Sequence, residues 1–316
     1  MKKVTIRDIA AAAGVSCATV SRSLADSSSI STATKEKVRR VSQEMGYSPN
    51  YVSLMPNCPS TGLVGMIVPN ISRPDVAALI AQVESHLDEL GLSLVLCSSR
   101  GDIQREKKCF QKLARLQADG VILLPAEAEP EVYLARQLEL LPTVILWRNL
   151  QYATQSYVAP DWRAAAALCA DTLERKGIHK LLLLGGKEAV SDGQMSGAFR
   201  TILARKGIGL EICQAAENFP EEGKRLVDAC QSETEPVAVI GFSRELAMGA
   251  KAALKDSRKG SCVICLGGGE PGMNALVFSP KEMADQACRI LMDLIGSDID
   301  GFSHRLVQPV LKLEEI

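Results

Sequence analysis

Between residues 62 and 267, short apolar runs of strand type recur, and the gaps between them have the length and periodicity of amphipathic helices. The runs are GLVGMIV (62–68), LSLVLC (92–97), GVILL (120–124), TVILW (143–147), KLLLLG (180–185), VAVIGF (237–242) and CVICLG (262–267). Runs this apolar are strands buried on both faces, and strands covered on both faces by helices belong to parallel sheets joined by right-handed crossovers. The pattern predicts a two-lobed, doubly wound α/β body. Lobe 1 is expected at about 61–158 and 281–303, and lobe 2 at about 159–280 and 304–316. A last helix (281–295) and a last strand (305–313) are expected to cross back between the lobes. Ligands bind such folds at the strand C-terminal ends, here the cleft between lobes.

The first fifty residues follow a different rule and predict an all-α head. Thr5 stands at an N-cap with Asp8 three residues on, and Ile6, Ile9, Ala10 and Ala13 recur at helical spacing over a first helix of about eight residues. Gly14 stops that helix in a conformation of positive φ, and Ser16 caps a second helix carrying Val20 and Leu24 inward. Ser31 and Thr32 start a third helix through Gly46, whose Val38, Val41 and Met45 close a small core. The outline is a helix-turn-helix.

Charge gives that head a partner. Residues 1–50 hold eight lysines or arginines against four acids in a chain of net charge −1, so a basic head sits on an acidic body. Ser16, Thr19 and Ser21 lie with Arg22 on the open side of the second helix, where hydroxyls bond phosphates and a guanidinium reads guanine edges. Double-stranded DNA is the implied partner.

Other classes fare worse. No apolar run approaches the ~18 residues of a membrane span. The start, MKKVTIRD, reaches charge too early for the ~7–15 apolar residues of a signal peptide, so a cytoplasmic location is expected. The ten cysteines are scattered and read as reduced, largely buried thiols. Cys262 and Cys265 form a C-x-x-C inside a strand-like run with no second pair, and the chain has three histidines, too few ligands for zinc. No metal, cofactor or catalytic set is expected: His86, His179 and His304 have no partner in a recognisable motif, and no nucleophile elbow is present. Gly267 to Gly272 satisfies G-x-G-x-x-G directly after a strand. The sequence then runs into NALVFSP, a strand and turn, where a dinucleotide site needs a helix N-terminus.

The run T-I-R-D-I-A-A-A-A-G-V-S-C-A-T-V-S-R-S-L, followed by I-S-T-A-T-K-E-K-V and G-Y-S-P-N, resembles the head of the lac and gal repressor family of bacterial transcription regulators. The resemblance implies a head at 1–50, a hinge at 51–60 and a periplasmic-binding-protein-like effector core at 61–316. It implies a repressor of a carbohydrate-related operon that binds a pseudo-palindromic operator as a homodimer and answers to a small effector in the cleft. A solute-binding transport protein would account for the body alone. By the resemblance, Cys17, Ala18 and Arg22 read bases, while Thr5, Ser16, Thr19, Ser21, Ser31, Thr34 and Asn50 contact or support the backbone. The family's hinge helix wedges a leucine into the minor groove. Here Pro56 stands at that position and Pro59 follows, so either Leu54 or Met55 is a shifted wedge or the hinge never orders.

In the cleft the resemblance puts Glu270 where an acidic residue holds a sugar hydroxyl. It also exposes departures: Met195 for an arginine, Ser243-Arg244 for Asn-Asp, and Trp147 followed by Arg148 for an acidic residue. With Arg73 and Asp75 nearby, two readings stand. Arg73, Arg148 and Arg244 hold an anionic effector such as a sugar phosphate or sugar acid, or they pair with Asp75, Asp161 or Glu270. A dimer interface is implied near 74–90 and 281–295. No heptad follows the last strand, so a coiled-coil tetramer is not implied.

Overall fold

The computed structural model describes residues 6–24, 30–45, 61–126, 134–148, 155–186, 193–230, 235–254, 260–268, 272–296 and 301–314. The head is three helices, α1 (Ile6–Ala13), α2 (Cys17–Leu24) and α3 (Thr32–Glu44). Helix α1 ends as a Schellman motif: Gly14, at φ +63°, donates to Ala11 O and Val15 donates to Ala10 O. The turn therefore follows from the one residue type that takes this conformation without a Cβ penalty. Ile9, Ala10, Ala13, Val20 and Val38 form the buried core, with Val15, Val41 and Met45 against it. Thr5 and Gly46, and the side chains of Ile6 and Leu24, lie outside the described residues and side chains.

Among the described residues the body holds two six-stranded sheets. In lobe 1, β1 (Leu63–Val68), α4 (Pro74–Glu89), β2 (Ser93–Ser98), α5 (Ile103–Arg115), β3 (Gly120–Leu123), α6 (Ala135–Leu138), β4 (Thr143–Leu146) and β5 (Ser156–Pro160) follow in turn. In lobe 2 come α7 (Trp162–Arg175), β6 (Lys180–Gly185), α8 (Gly193–Arg205), β7 (Gly209–Gln214), α9 (Pro220–Ala229), β8 (Ala238–Gly241), α10 (Arg244–Leu254), β9 (Cys262–Leu266) and β10 (Asn274–Phe278). The chain closes with α11 (Pro280–Gly296), β11 (His304–Val307) and β12 (Pro309–Lys312). Strand orders are β11-β5-β4-β3-β1-β2 and β12-β10-β9-β8-β6-β7. All pairings are parallel except β10 with β12. The shared 2-1-3-4-5 winding places a switch point at the C-terminal end of each β1-type strand.

One boundary differs from expectation. The strand expected at 305–313 is two strands: β11 pairs with β5 in the first sheet, and β12 pairs antiparallel with β10 in the second. Residues 304–307 thus belong to lobe 1, and the crossing falls at Gln308. Pro309 has no N–H to continue a ladder and opens an edge strand instead. Three crossings join the lobes, at 160–162, 278–280 and 307–309. Asp161 ties two of them: it caps α7 through Ala164 N (2.9 Å), accepts from Gln308 Nε2 (3.1 Å), and its own N–H donates to Val307 O (2.9 Å). One buried core runs from Val64 and Met66 through Trp162 and Phe278 to Leu181 and Ile240, so the lobes share apolar packing at the crossings.

Candidate functional site

In the head, Ser16 Oγ accepts from Thr19 N (3.0 Å) and shares a hydrogen bond with Thr19 Oγ1 (2.9 Å). Ser31 repeats the arrangement with Thr34, at 3.4 Å to the amide and 2.9 Å to the hydroxyl. Ser16 and Ser31 are first of all helix caps, worth about 0.5–2 kcal/mol for a capping hydroxyl, and Thr19 and Thr34 are the residues whose amides they cap. Cys17, Ala18 and Arg22 are exposed along α2, while Thr19 is half-buried. The side chain of Ser21, and Thr5, Asn50, Leu54 and Met55 entirely, lie outside the described residues and side chains, as does the whole hinge.

In the body, a cavity of about 1380 Å³ opens between the C-terminal ends of the two sheets. Lobe 1 contributes Asn70 to Val76 after β1, Ser98 at the end of β2 and Arg100 beyond it, Leu124 to Ala126 after β3, and Trp147 and Arg148 after β4. Lobe 2 contributes Gly186, Asn218, Phe219, Phe242 to Glu245, and Leu266 to Gly268. Among the described residues expected to bind the effector, Arg73, Asp75, Trp147, Arg148 and Arg244 all line it; Glu270 lies outside the described residues.

Two of the loops carry backbone strain. Trp147 stands at φ +71° and Arg100 at φ +54°, left-handed conformations unusual for residues with a Cβ. Trp147 is held there by its N–H to Val158 O (2.8 Å). Its ring meets Phe278 edge-on (6.3 Å, 76°), and Phe278 meets Trp162 in the same way (5.0 Å, 77°). These are the chain's two tryptophans, so both indoles sit in one aromatic wall of the cleft.

The charges are unequal. Arg73 grips Asp75 through Nε to Oδ1 (3.1 Å) and Nη2 to Oδ2 (2.6 Å), a fork-to-carboxylate pair. Asp161 is engaged as cap and as partner of Gln308, described above. Among the described lining residues the cleft holds Arg73, Arg100, Arg148 and Arg244 against Asp75 and Glu245. Ser243 Oγ accepts from Leu246 N (3.2 Å) and caps α10, which sets Arg244 at the mouth of that helix. Gly267 stands so close to Asp75 that a Cβ on it would lie 3.8 Å from the aspartate's own.

Comparison with known proteins agrees with this geometry. The family described as bacterial regulatory proteins, lacI family, matches residues 5–50, and periplasmic binding proteins and sugar binding domain of LacI family matches residues 61–264. The chain belongs to the LacI family. It is similar to the HTH-type transcriptional regulator DegA of Bacillus subtilis (strain 168), 27% identical over 263 residues that cover 80% of this chain and 77% of DegA. Among solved structures it is similar to the lac repressor dimer bound to operator and the anti-inducer ONPF, with TM-score 0.81 and 20% identity over 99% of this chain and 98% of that one. The Cra transcriptional dual regulator from Pseudomonas putida, in complex with fructose 1-phosphate, aligns with TM-score 0.66 and 20% identity over 79% of this chain and 98% of that one. At such identities the structural likeness speaks for the fold. The family makes this chain a DNA-binding transcriptional regulator with an effector-binding body, and not an enzyme.

Further features of this LacI-family body bear on what its sequence outlined. Met195, which the resemblance set in the place of an arginine, is buried in the shared core and is not among the residues that line the cleft. Arg100, Trp162, Phe219 and Phe242 line the cleft without having been singled out; the one available signal was their place at strand or helix ends, where such folds bind ligands. The glycine-rich loop has positive φ at Gly267, Gly268 and Gly272 and leads into strand β10, so no helix N-terminus waits for a pyrophosphate. Cys262 packs against the core that holds Ile264, whereas Cys265 belongs to the core on the other face of β9, since residues three apart on a strand point to opposite sides. The C-x-x-C is no dithiol pair. Among the described residues no helix is long and apolar enough to cross a membrane.

Proposed function

We propose that this regulator is a repressor of a carbohydrate-related operon, that it binds a pseudo-palindromic operator as a homodimer, and that its cleft takes an anionic effector, a sugar phosphate or sugar acid. The observation that carries the effector reading is the surplus of arginine over carboxylate among the described lining residues, beside an aromatic wall. A guanidinium makes charge-assisted, often bidentate bonds to phosphate or carboxylate, and indole faces suit the apolar face of a sugar ring. The fructose 1-phosphate held by the Cra relative is in keeping with that chemistry. Arg73 pairs with Asp75, and Arg100, Arg148 and Arg244 bring three further guanidinium groups to the lining of the same cavity.

Calorimetry with phosphorylated and neutral forms of the same sugars tests it, with intrinsic tryptophan emission as a parallel signal. Binding of the phosphorylated form, weakened at least tenfold in Arg148→Ala or Arg244→Ala, is expected, which corresponds to about 1.4 kcal/mol or more. Binding of neutral sugars alone would sink the anionic effector.

One helix-turn-helix contacts too little DNA for specific affinities of ~10⁻⁸ to 10⁻¹¹ M, which supports a dimer on half-sites about one helical turn apart. Helices α4 and α11 pack on each other within the chain, joined by His86 Nδ1 and Asp285 Oδ1 at 3.2 Å. Exposed Leu90 after α4 and Leu96 on edge strand β2 offer apolar surface beside them for the second copy. Selection of duplexes from genomic fragments at physiological salt should return such a pseudo-palindrome; recovery of only sequence-blind, salt-sensitive fragments would count against a specific repressor. Replacing Leu54 and Met55 by alanine should lower operator affinity and bending if the hinge wedges into the groove.

A further inference from the structure

The most unusual chemical cluster outside the cleft joins edge strand β7 to the C-terminal end of α9. Cys213 Sγ and Cys230 Sγ lie 3.0 Å apart, both as free thiols. A disulfide bond is about 2.05 Å long, so the two sulfurs need to approach by only about 1 Å. Cys213 is buried and Cys230, the C-cap of α9, is half-buried and reachable from solvent. Seventeen positions separate them, and the intervening chain includes Asn218 and Phe219 of the cleft wall.

We propose that Cys213 and Cys230 are an oxidisable pair, which hydrogen peroxide converts to a disulfide that pins the end of α9 to β7 and fixes the cleft segment 215–219 from both sides. The Cys230 sulfur attacks peroxide, the O–O bond breaks, and the departing hydroxide takes the thiol proton as water, leaving a sulfenic acid. The Cys213 sulfur then attacks the sulfenic sulfur. The S–S bond forms, the S–O bond breaks, and the departing hydroxide leaves with the Cys213 proton as a second water. Two thiols lose two electrons and two protons, and peroxide gains them.

Glu211, Cys213 and Cys230 also have the ligand types of a metal site, with atoms within 4.8 Å of one another. The carboxylate, however, already pairs with Lys180 Nζ at 2.7 Å, and the same ammonium donates to Cys230 O at 3.4 Å. A cation there would meet a resident positive charge, whereas a neutral disulfide does not. Burial pushes both thiols above their ordinary pKa, so little thiolate is present at neutral pH and the pair answers slowly, to sustained oxidation.

The test uses the full chain, reduced, freed of reductant and exposed to hydrogen peroxide. Trypsin places Cys213 in peptide 207–224 and Cys230 in peptide 226–244. The expected result is a linked pair of these peptides and loss of two titratable thiols, both reversed by dithiothreitol. Cys213→Ser and Cys230→Ser should each abolish the link, and amide exchange at 215–219 should slow in the oxidised wild type. If the serine variants fail to fold, the wild-type peptide map still decides. Oxidation that leaves these peptides unlinked overturns the proposal, as does stoichiometric zinc in the purified protein that Cys213→Ser removes. A link without slower exchange at 215–219 overturns the pinning.

Discussion

Phe278 is the joint of the aromatic wall. It is 3% exposed and stands edge-on to Trp147 and Trp162 while ending β10 at a lobe crossing. Phe278→Leu keeps an apolar side chain of nearly the same volume but removes both ring contacts. Each is worth about 0.5–1.5 kcal/mol beyond the area buried, so the pair sets a loss of about 1–3 kcal/mol. Phe278→Ala adds a cavity and should cost about 3–5 kcal/mol. For a body of this size the leucine variant should melt lower by about 2–4 °C per kcal/mol. Urea unfolding followed by far-ultraviolet circular dichroism reads the loss, and tryptophan emission reads its location, because both tryptophans of the chain touch Phe278. A leucine variant within about 0.5 kcal/mol of wild type, the range of an inconsequential substitution, and with an unchanged emission spectrum would refute the wall as a cooperative unit.

Three further outcomes follow from single atoms. Gly249→Ala would drive a Cβ into Pro220 O, a backbone atom, so α9 and α10 must part; a destabilisation at the upper end of about 1–3 kcal/mol or more is expected in chemical unfolding. Asp161→Ala removes the α7 cap and the tie to Gln308, and should cost about 0.5–2 kcal/mol, with Asp161→Asn recovering most of it in thermal melts. Glu222 is held down to about 2 by Arg225 and then by the Ala216 amide, so its contribution is complete above the ordinary carboxylate range near 4.5 and is lost as pH falls toward 2. Glu222→Gln should be less stable than wild type at neutral pH, and acid titration should bring the two together near pH 2; a constant gap across that window would exclude the ionised pair as the cause.

The strands that the sequence declares are those buried at nearly every position, such as Val121 to Leu123, Val144 to Leu146 and Leu181 to Leu184. What it conceals lies at edges or carries polar residues. Strand β7, GLEICQ, is exposed or half-buried at all but one position, and β5, SYVAP, includes a tyrosine and a proline although it is buried throughout. The last two strands read as one run because only Gln308 separates β11 from Pro309. The head was legible because its turn and caps depend on local residue types: Gly14, Ser16 and Ser31 each act within five positions of themselves. The place of the cleft followed from the strand ends, but individual residues of its lining, Arg73, Asp75, Trp147, Arg148 and Arg244, were legible only through the resemblance to a known family. Arg100, Trp162, Phe219 and Phe242 come from separate strand and helix ends that meet only when the two sheets face each other.

The geometry also bears on how a ligand in the cleft would reach DNA. The first described residue after the expected hinge, Thr61, is locked to the far end of the first sheet: Thr61 N and Gly62 N both donate to the Asp119 carboxylate at 2.7 Å, and Thr61 Oγ1 donates to Gln117 O at 2.7 Å. From there β1 runs through the sheet between β2 and β3 and delivers Asn70 to Arg73 into the cleft. A central strand of six residues spans about 20 Å at roughly 3.3 Å per residue. Hydrogen-bonded on both sides, such a strand resists bending and moves with its sheet. A ligand that changes the angle between the lobes would therefore carry the hinge anchors with lobe 1, and in a dimer it would change the separation of the two heads. Where effector and operator binding are coupled, the coupling is reciprocal: each changes the affinity for the other by the same factor, with a coupling free energy of typically about 1–3 kcal/mol. The Asp119 clamp is the place where that coupling would be lost while the cleft itself stays intact.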